Sequence, residues 1–140
     1  MAKARRAIAK SDFVEKNLAA ALERLAVAAA AGERATAARG KEGKQLAITV
    51  KRLSKKRASQ AKRRLGASKR ARKSPSGDTR KALRTAVREL AGTTKALSKA
   101  KALKAAHATE YAALRIASRR ASGYAKAIAQ IDRALGRSAD

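Results

Sequence analysis

Large apolar residues recur at steps of three and four along this chain, in a background rich in alanine. Near the N-terminus the apolar stripe runs through Val14, Leu18, Leu22, Leu25 and Ala29. This spacing places its members on one face of an α-helix. β-Branched and aromatic residues never alternate with polar ones over a useful length, so the sequence predicts helices and no strands.

The apolar residues available for a core are mostly small. Alanine supplies 38 of the 140 residues, whereas Leu, Ile, Val and Phe together supply 22, and there is a single proline. Because alanine is the best helix former but buries little area, helices form easily while a deep core does not. We therefore predict an all-α fold of long Ala-rich amphipathic helices, in antiparallel hairpins or a small bundle, with modest stability in the absence of a partner.

Interruptions of the stripe suggest where the helices begin and end. Asp12 and Glu15 have the spacing of a capping box, and Gly32, Gly40 and Gly43 predict a turn region or a broken helical connection. The predicted divisions are a basic N-terminal tail at 1–11, a first helical hairpin at 12–53, a basic arm and linker at 54–77, a second helical hairpin at 78–136 and a C-terminal tail at 137–140.

The second half of the chain repeats the helical pattern. After a linker that contains Pro75, either Ser76 or Asp78 is the predicted N-cap of the next helix. Its last apolar stripe is formed by Tyr124, Ile128, Ile131 and Leu135.

A basic segment, residues 51–73, separates the two halves and contains no Asp or Glu. After Leu53 the next positions of the apolar stripe are Arg57, Gln60 or Ala61, and Arg64. Because a helix without an apolar face cannot be held by a core, we predict that residues 54–73 protrude as a solvated helix or a disordered arm. The predicted nucleic-acid-binding residues are its Lys and Arg side chains: Lys51, Arg52, Lys55, Lys56, Arg57, Lys62, Arg63, Arg64, Lys69, Arg70, Arg72 and Lys73.

The formal net charge of +26 favours a polyanionic partner. Self-repulsion at this density opposes compaction, and a polyanion relieves it, so nucleic acid is the first partner class and acidic membrane the second. In a helical segment, one face that can follow a phosphate backbone is lined by Arg52, Lys55, Lys56, Ser59, Lys62 and Arg63. Such contacts release condensed counterions and give affinity without reading base sequence.

The aromatic residues bear on the kind of nucleic acid. Phe13, Tyr111 and Tyr124 lie on or near apolar stripes and not among the basic residues. Proteins that bind single strands usually stack bases on aromatic side chains, so the sequence favours double-stranded DNA, with structured RNA as the alternative.

Catalysis is poorly provided for in this sequence. The single histidine, His107, has Glu110 three residues on, but two ligands do not make a metal site, and a side chain at a helix interface is the simpler interpretation. There is no cysteine, no Gly-rich phosphate loop after a strand, and no nucleophile beside a base. We predict no enzyme, no catalytic residue, no metal, no cofactor and no small-molecule substrate.

In its richness in Lys, Arg and Ala, the whole chain resembles bacterial histone-like and linker-histone-like nucleoid proteins. That resemblance implies DNA coating and compaction at the nucleoid, in the cytoplasm, although the chain lacks their Pro-containing tail repeats. A structural RNA-binding protein of a ribosome or another ribonucleoprotein is the alternative, and a membrane-active cationic protein is the third interpretation. No apolar run approaches a membrane span and no secretory signal is recognisable, while a basic organelle-import segment at residues 1–11 and self-association through helix packing are compatible with the sequence.

Overall fold

The computed structural model consists of two α-helices that pack against each other as an antiparallel hairpin. Helix α1 spans Ala2–Lys73 and helix α2 spans Gly77–Ser138. The structure describes residues 2–138, and the side chains of residues 11–137. The prediction of an all-α fold is confirmed.

A three-residue connection, residues 74–76, reverses the chain. The N–H of Thr79 donates to the Ser76 hydroxyl at 3.2 Å, and the N–H of Ser76 donates to the Thr79 hydroxyl at 2.9 Å. This reciprocal pair is a capping box in which threonine takes the usual place of Glu or Gln, and it confirms Ser76 as the N-cap of α2. Asp78 in the first turn of α2 and Lys73 in the last turn of α1 have the charges that their helix dipoles favour.

The predicted interior turns are absent from the described chain, since α1 runs without interruption through Gly32, Gly40 and Gly43. Residues 12–53 and 78–136 are each one stretch of helix and not a hairpin, so the prediction of two separate hairpins is wrong. An isolated glycine costs a helix about 1 kcal/mol, which the surrounding Ala-rich sequence tolerates.

The ends of the helices also differ from the prediction. Asp12 lies inside α1 and does not cap it, because the helix already begins at Ala2 within the predicted N-terminal tail. Residues 137 and 138 of the predicted C-terminal tail belong to α2. Residues 1, 139 and 140 of those tails lie outside the described residues.

The chain divides into two compact units, each containing part of both helices. We call Gly40–Glu110, which includes the connection, the turn unit. The terminal unit comprises the described residues 2–39 and 111–138.

The turn unit has a narrow seam along which α1 and α2 meet. Its buried apolar residues are Ala67, Leu97 and Ala100, and its buried polar residues are Gln60, Thr93 and His107. Ala67 follows Gln60 by seven residues, and Thr93, Ala100 and His107 are likewise spaced by seven. This heptad spacing is that of a coiled-coil contact, which buries a thin line of side chains and not a broad core.

The basic segment takes part in this seam, so the prediction that it has no buried face and protrudes is wrong. Gln60 is 8% exposed and Ala67 is 6% exposed. Neither residue is large and apolar, so neither contributes to an apolar stripe in the sequence. Among the described residues the Gln60 Oε1 atom has no hydrogen-bond partner, and an orphaned buried acceptor costs about 1–3 kcal/mol.

Two glycines lie where the opposite helix approaches most closely. A Cβ atom added to Gly43 would lie 2.8 Å from His107 Cε1, closer than real Cβ contacts. A Cβ atom added to Gly32 would lie 3.0 Å from Ser118 Oγ and 3.3 Å from Ser118 Cα. Gly32 and Gly43, two of the three glycines that predicted a turn, are therefore packing positions within a helix, and His107 is an interface side chain as expected.

The terminal unit is more loosely covered. Leu22, Leu25 and Ala29 of its predicted α1 stripe are half-buried, and among its described side chains Ser118 is the most buried, at 9% exposed. The Ser122 hydroxyl donates to Glu33 Oε1 at 3.4 Å across the two helices. The predicted stripe at the end of α2 stays largely exposed within the chain.

Candidate nucleic-acid interface

The basic residues of α1 form clusters that repeat every seven residues. Residues 55–57, 62–64 and 69–70 are uninterrupted runs of Lys and Arg, and each run begins seven residues after the one before. Seven residues advance a helix by about 10.5 Å, so the three runs recur along one side of α1.

The same period separates Gln60 from Ala67. Lys56, Arg63 and Arg70 are three or four residues from these two seam positions and therefore flank the seam, whereas the first residue of each run points to the opposite side of α1.

All twelve predicted binding residues are exposed, as the sequence suggested. Six are Arg and six are Lys, which provides both forked guanidinium donors and compact ammonium groups. Among the side chains that the structure describes, none of the twelve forms an ion pair with a carboxylate. Arg70 donates from Nε to the carbonyl oxygen of Gly66 at 3.4 Å, within its own helix.

A second set of cations lies on α2 of the turn unit and was not among the predicted binding residues. Eight exposed side chains make up this set: Arg80, Lys81, Arg84, Arg88, Lys95, Lys99, Lys101 and Lys104. The sequence does contain a signal for it, because Lys81, Arg84 and Arg88 follow one another at steps of three and four. The signal is weaker than that of the basic segment, because apolar residues lie between the cations of α2.

The charge of the chain is concentrated in the turn unit. Between Gly40 and Glu110 there are 22 Lys or Arg and four Asp or Glu, which gives a net charge of +18. The remaining residues of the chain carry a net charge of +8. Most of the positive potential of the protein therefore arises from the helices next to the connection.

An open groove of about 450 Å³ lies beside the basic clusters, between the two helices of the turn unit. Arg63 and Arg70 line it from α1, and Lys81 lines it from α2. Asp78 and Glu89 are its acidic residues. A groove this open, with three cations and two carboxylates among its lining residues, can admit an anionic group at its basic side chains but does not enclose a small molecule.

The tyrosines lie apart from the twelve residues in sequence and belong to the terminal unit. The guanidinium carbon of Arg115 is 5.7 Å from the centre of the Tyr111 ring, and that of Arg120 is 5.8 Å from the centre of the Tyr124 ring. These distances are those of cation–π contacts. In the described part of the chain the basic clusters therefore contain no aromatic platform for bases.

No group of three or more His, Cys, Asp or Glu side chains among the described residues could hold a metal ion. Neither helix has, within its described residues, a stretch apolar and long enough to cross a membrane.

Comparison with known proteins gives no relative from which a function could be transferred. No protein-family model matches the chain, and neither the curated proteins nor the solved structures contain a significant match.

Proposed function

We propose that this protein binds double-stranded DNA without regard to base sequence and acts as a histone-like protein that coats and compacts it. The observation that carries the proposal is the net charge of +18 on the turn unit, with all twelve basic side chains of residues 51–73 exposed. A solvated helix face ordinarily mixes charges of both signs, whereas residues 43–77 contain no Asp or Glu at all. Such a surface favours a partner with a dense negative charge.

The spacing of the clusters suits a phosphate backbone. Successive basic runs on α1 are about 10.5 Å apart, and a duplex carries about six backbone charges over that length of its axis, so each run has several phosphates within its stretch of the duplex. Each neutralised phosphate releases condensed counterions, and this release supplies affinity that depends strongly on salt. Arg side chains add forked hydrogen bonds to phosphate oxygens.

Base-specific recognition has little support at this surface. Gln60 is the amide side chain among the basic clusters that could read a base edge, and it is buried in the helix seam. Phosphate contacts position a protein on DNA but carry no sequence information. Unrelated duplexes of equal length should therefore bind with affinities within a few-fold of each other.

The test is a salt titration of binding to one DNA duplex, with two variants matched in charge. The first variant replaces six exposed cations of the turn unit by Gln: Lys55, Lys56, Arg57, Lys62, Arg63 and Arg64. The second replaces six exposed cations of the terminal unit by Gln: Lys16, Arg24, Arg34, Arg119, Lys126 and Arg133. Both variants have the same net charge, and Gln preserves helix propensity.

The turn-unit variant should bind more weakly, and the slope of log affinity against log salt should become shallower by up to about five units, at roughly 0.9 per phosphate contact. The terminal-unit variant should change the slope by less than about one unit, because few of its six cations would meet phosphates. Equal slopes for the two variants would show that net charge alone governs binding, and would remove the turn unit from its proposed role. Tighter binding of a structured RNA than of the duplex, by more than about a hundredfold, would assign the protein to RNA instead.

A further inference from the structure

The terminal unit contains two apolar stripes that this chain does not cover. On α2, Tyr124, Ile128, Ile131 and Leu135 follow one another at steps of four, three and four, yet they are 38% to 66% exposed. On α1, Val14 and Leu18 continue the same type of stripe and are 62% and 49% exposed. This spacing is the one with which helices pack against helices, so each stripe is a helix-packing face without its counterpart.

The exposed area of the whole chain agrees with a missing partner. The protein exposes 11446 Å², whereas a folded monomer of 14.8 kDa exposes about 7,000 Å². A protein–protein interface of standard size covers about 800 Å² on each partner, so the excess is several times what a stable dimer requires. Monomeric soluble proteins rarely leave contiguous apolar patches of more than a few hundred Å² uncovered.

The charges of the same segments indicate what kind of partner fits. Residues 11–33 of α1 contain four acidic and two basic side chains, whereas residues 111–137 of α2 contain one acidic and six basic side chains. The two helical segments therefore have opposite net charges of −2 and +5. A partner that places a basic helix beside α1 and an acidic helix beside α2 would be electrostatically complementary, and a second copy of this chain supplies both.

We propose that the terminal unit is a self-association surface, and that two copies of the chain pack their exposed stripes together into a four-helix bundle. The interface is isologous: α1 of each copy lies beside α2 of the other, so every contact occurs twice. This inference goes beyond the proposed function and does not require that the protein bind DNA. The proposed interface lies in the unit with the lower net charge, where two copies repel each other least.

The test is sedimentation equilibrium of the full chain without nucleic acid, from low micromolar to several hundred micromolar protein. The interface variant is Val14→Gln with Ile131→Gln. The matched control is Ile48→Gln with Leu103→Gln, two residues of the turn unit that are 59% and 61% exposed. All four substitutions replace an exposed aliphatic side chain by a helix-compatible amide, and circular dichroism verifies that each variant keeps its helices.

Wild type and control should both sediment as a dimer, while the interface variant should weaken dimerisation by at least about a hundredfold, since two substitutions remove four side chains from a symmetric interface. A wild-type chain that stays monomeric over the whole range would overturn the proposal, and so would equal weakening by the two variants. Wild-type monomer that binds anionic vesicles through Val14 and Ile131 would overturn it as well, by identifying a lipid surface as the occupant. The turn-unit Gln variant should still dimerise, so loss of DNA binding and loss of self-association are separable results.

Discussion

The turn unit and the terminal unit are both built from segments of α1 and α2, but their surfaces differ in charge and in exposed apolar side chains. The turn unit has a net charge of +18, and four of its large apolar side chains are exposed. The terminal unit has a net charge of +9, and nine of its described large apolar side chains are exposed. One surface is thus strongly cationic and the other is apolar with charges of mixed sign.

The difference shows how a chain with few large apolar residues can keep a charged surface in place. All three buried apolar residues among the described side chains, Ala67, Leu97 and Ala100, belong to the turn unit. The unit with the greater self-repulsion therefore also has the better-buried seam. The terminal unit has less repulsion to overcome, and its apolar side chains remain available for another molecule.

The largest expected effect is a rise in melting temperature when DNA binds, and it should depend on the cations of the turn unit and not on those of the terminal unit. Duplex in excess at about 100 times its dissociation constant should stabilise the folded chain by about 2.7 kcal/mol, which corresponds to a rise in melting temperature of roughly 10 °C. The turn-unit Gln variant should lose most of this rise, and the terminal-unit Gln variant should keep it. Thermal melts followed by circular dichroism at low salt measure the shift, and equal shifts for both variants would erase the distinction between the units.

A second prediction compares the seams of the two units by truncation of one leucine in each. Leu97→Ala in the turn unit should lower the free energy of unfolding by about 2–3 kcal/mol, because Leu97 is 5% exposed. Leu25→Ala in the terminal unit should cost only about 1 kcal/mol, because Leu25 is half-buried.

Urea denaturation at a concentration where the chain is monomeric measures both changes. Leu103→Ala, at an exposed position on α2, is the control and should change stability by less than about 0.5 kcal/mol. A loss at Leu25 as large as the loss at Leu97 would show that the terminal unit is held as firmly as the turn unit.

The smallest expected effect is the change in stability when a glycine is replaced by alanine. Each unit has a glycine whose added Cβ atom would meet the other helix and a glycine whose added Cβ atom would meet nothing. Gly43→Ala and Gly32→Ala should destabilise the fold by about 1 kcal/mol, because overpacking costs about 1–3 kcal/mol and the gain in helix propensity returns about 1 kcal/mol. Gly92→Ala and Gly123→Ala should stabilise it by about 0.5–1 kcal/mol, since nothing lies within 4 Å of the added Cβ atom.

Chemical denaturation of the four variants gives the signs. In a His107→Ala background the Gly43→Ala substitution should become neutral or stabilising, because its nearest contact is removed. If Gly43→Ala destabilises equally in both backgrounds, the approach of His107 is not the cause.

The helical fold was predictable from the sequence, because alanine content and the steps of three and four both indicate helices. The sequence limited the N-cap of α2 to Ser76 or Asp78, because both follow Pro75 at the start of a new stripe, and the hydrogen bonds between Ser76 and Thr79 distinguish them. The exposure of the twelve basic side chains followed from their number, since no helix interface can bury that many cations.

The uninterrupted length of α1 was not predictable from local rules. Gly32 and Gly43 favour a turn when they are considered alone, and only the approach of Ser118 and His107 from the other helix explains them as packing residues. The contribution of Gln60 and Ala67 to the seam was hidden for a related reason, since neither is a large apolar residue. The cations on α2 were overlooked because they are interspersed with apolar residues.

The three-residue connection also bears on the order in which the chain folds. The Ser76–Thr79 pair is formed between residues three apart, whereas Ser122 reaches Glu33 across 89 residues of sequence. Closing a long loop costs more conformational entropy than closing a short one, so the contacts next to the connection should form first. Once one pair of residues in the seam is in contact, the loop that the next pair must close is shorter, so the helices pair progressively away from the connection. Folding should therefore begin in the most highly charged part of the molecule, where a polyanion that screens repulsion would lower the kinetic barrier as well as stabilise the final state.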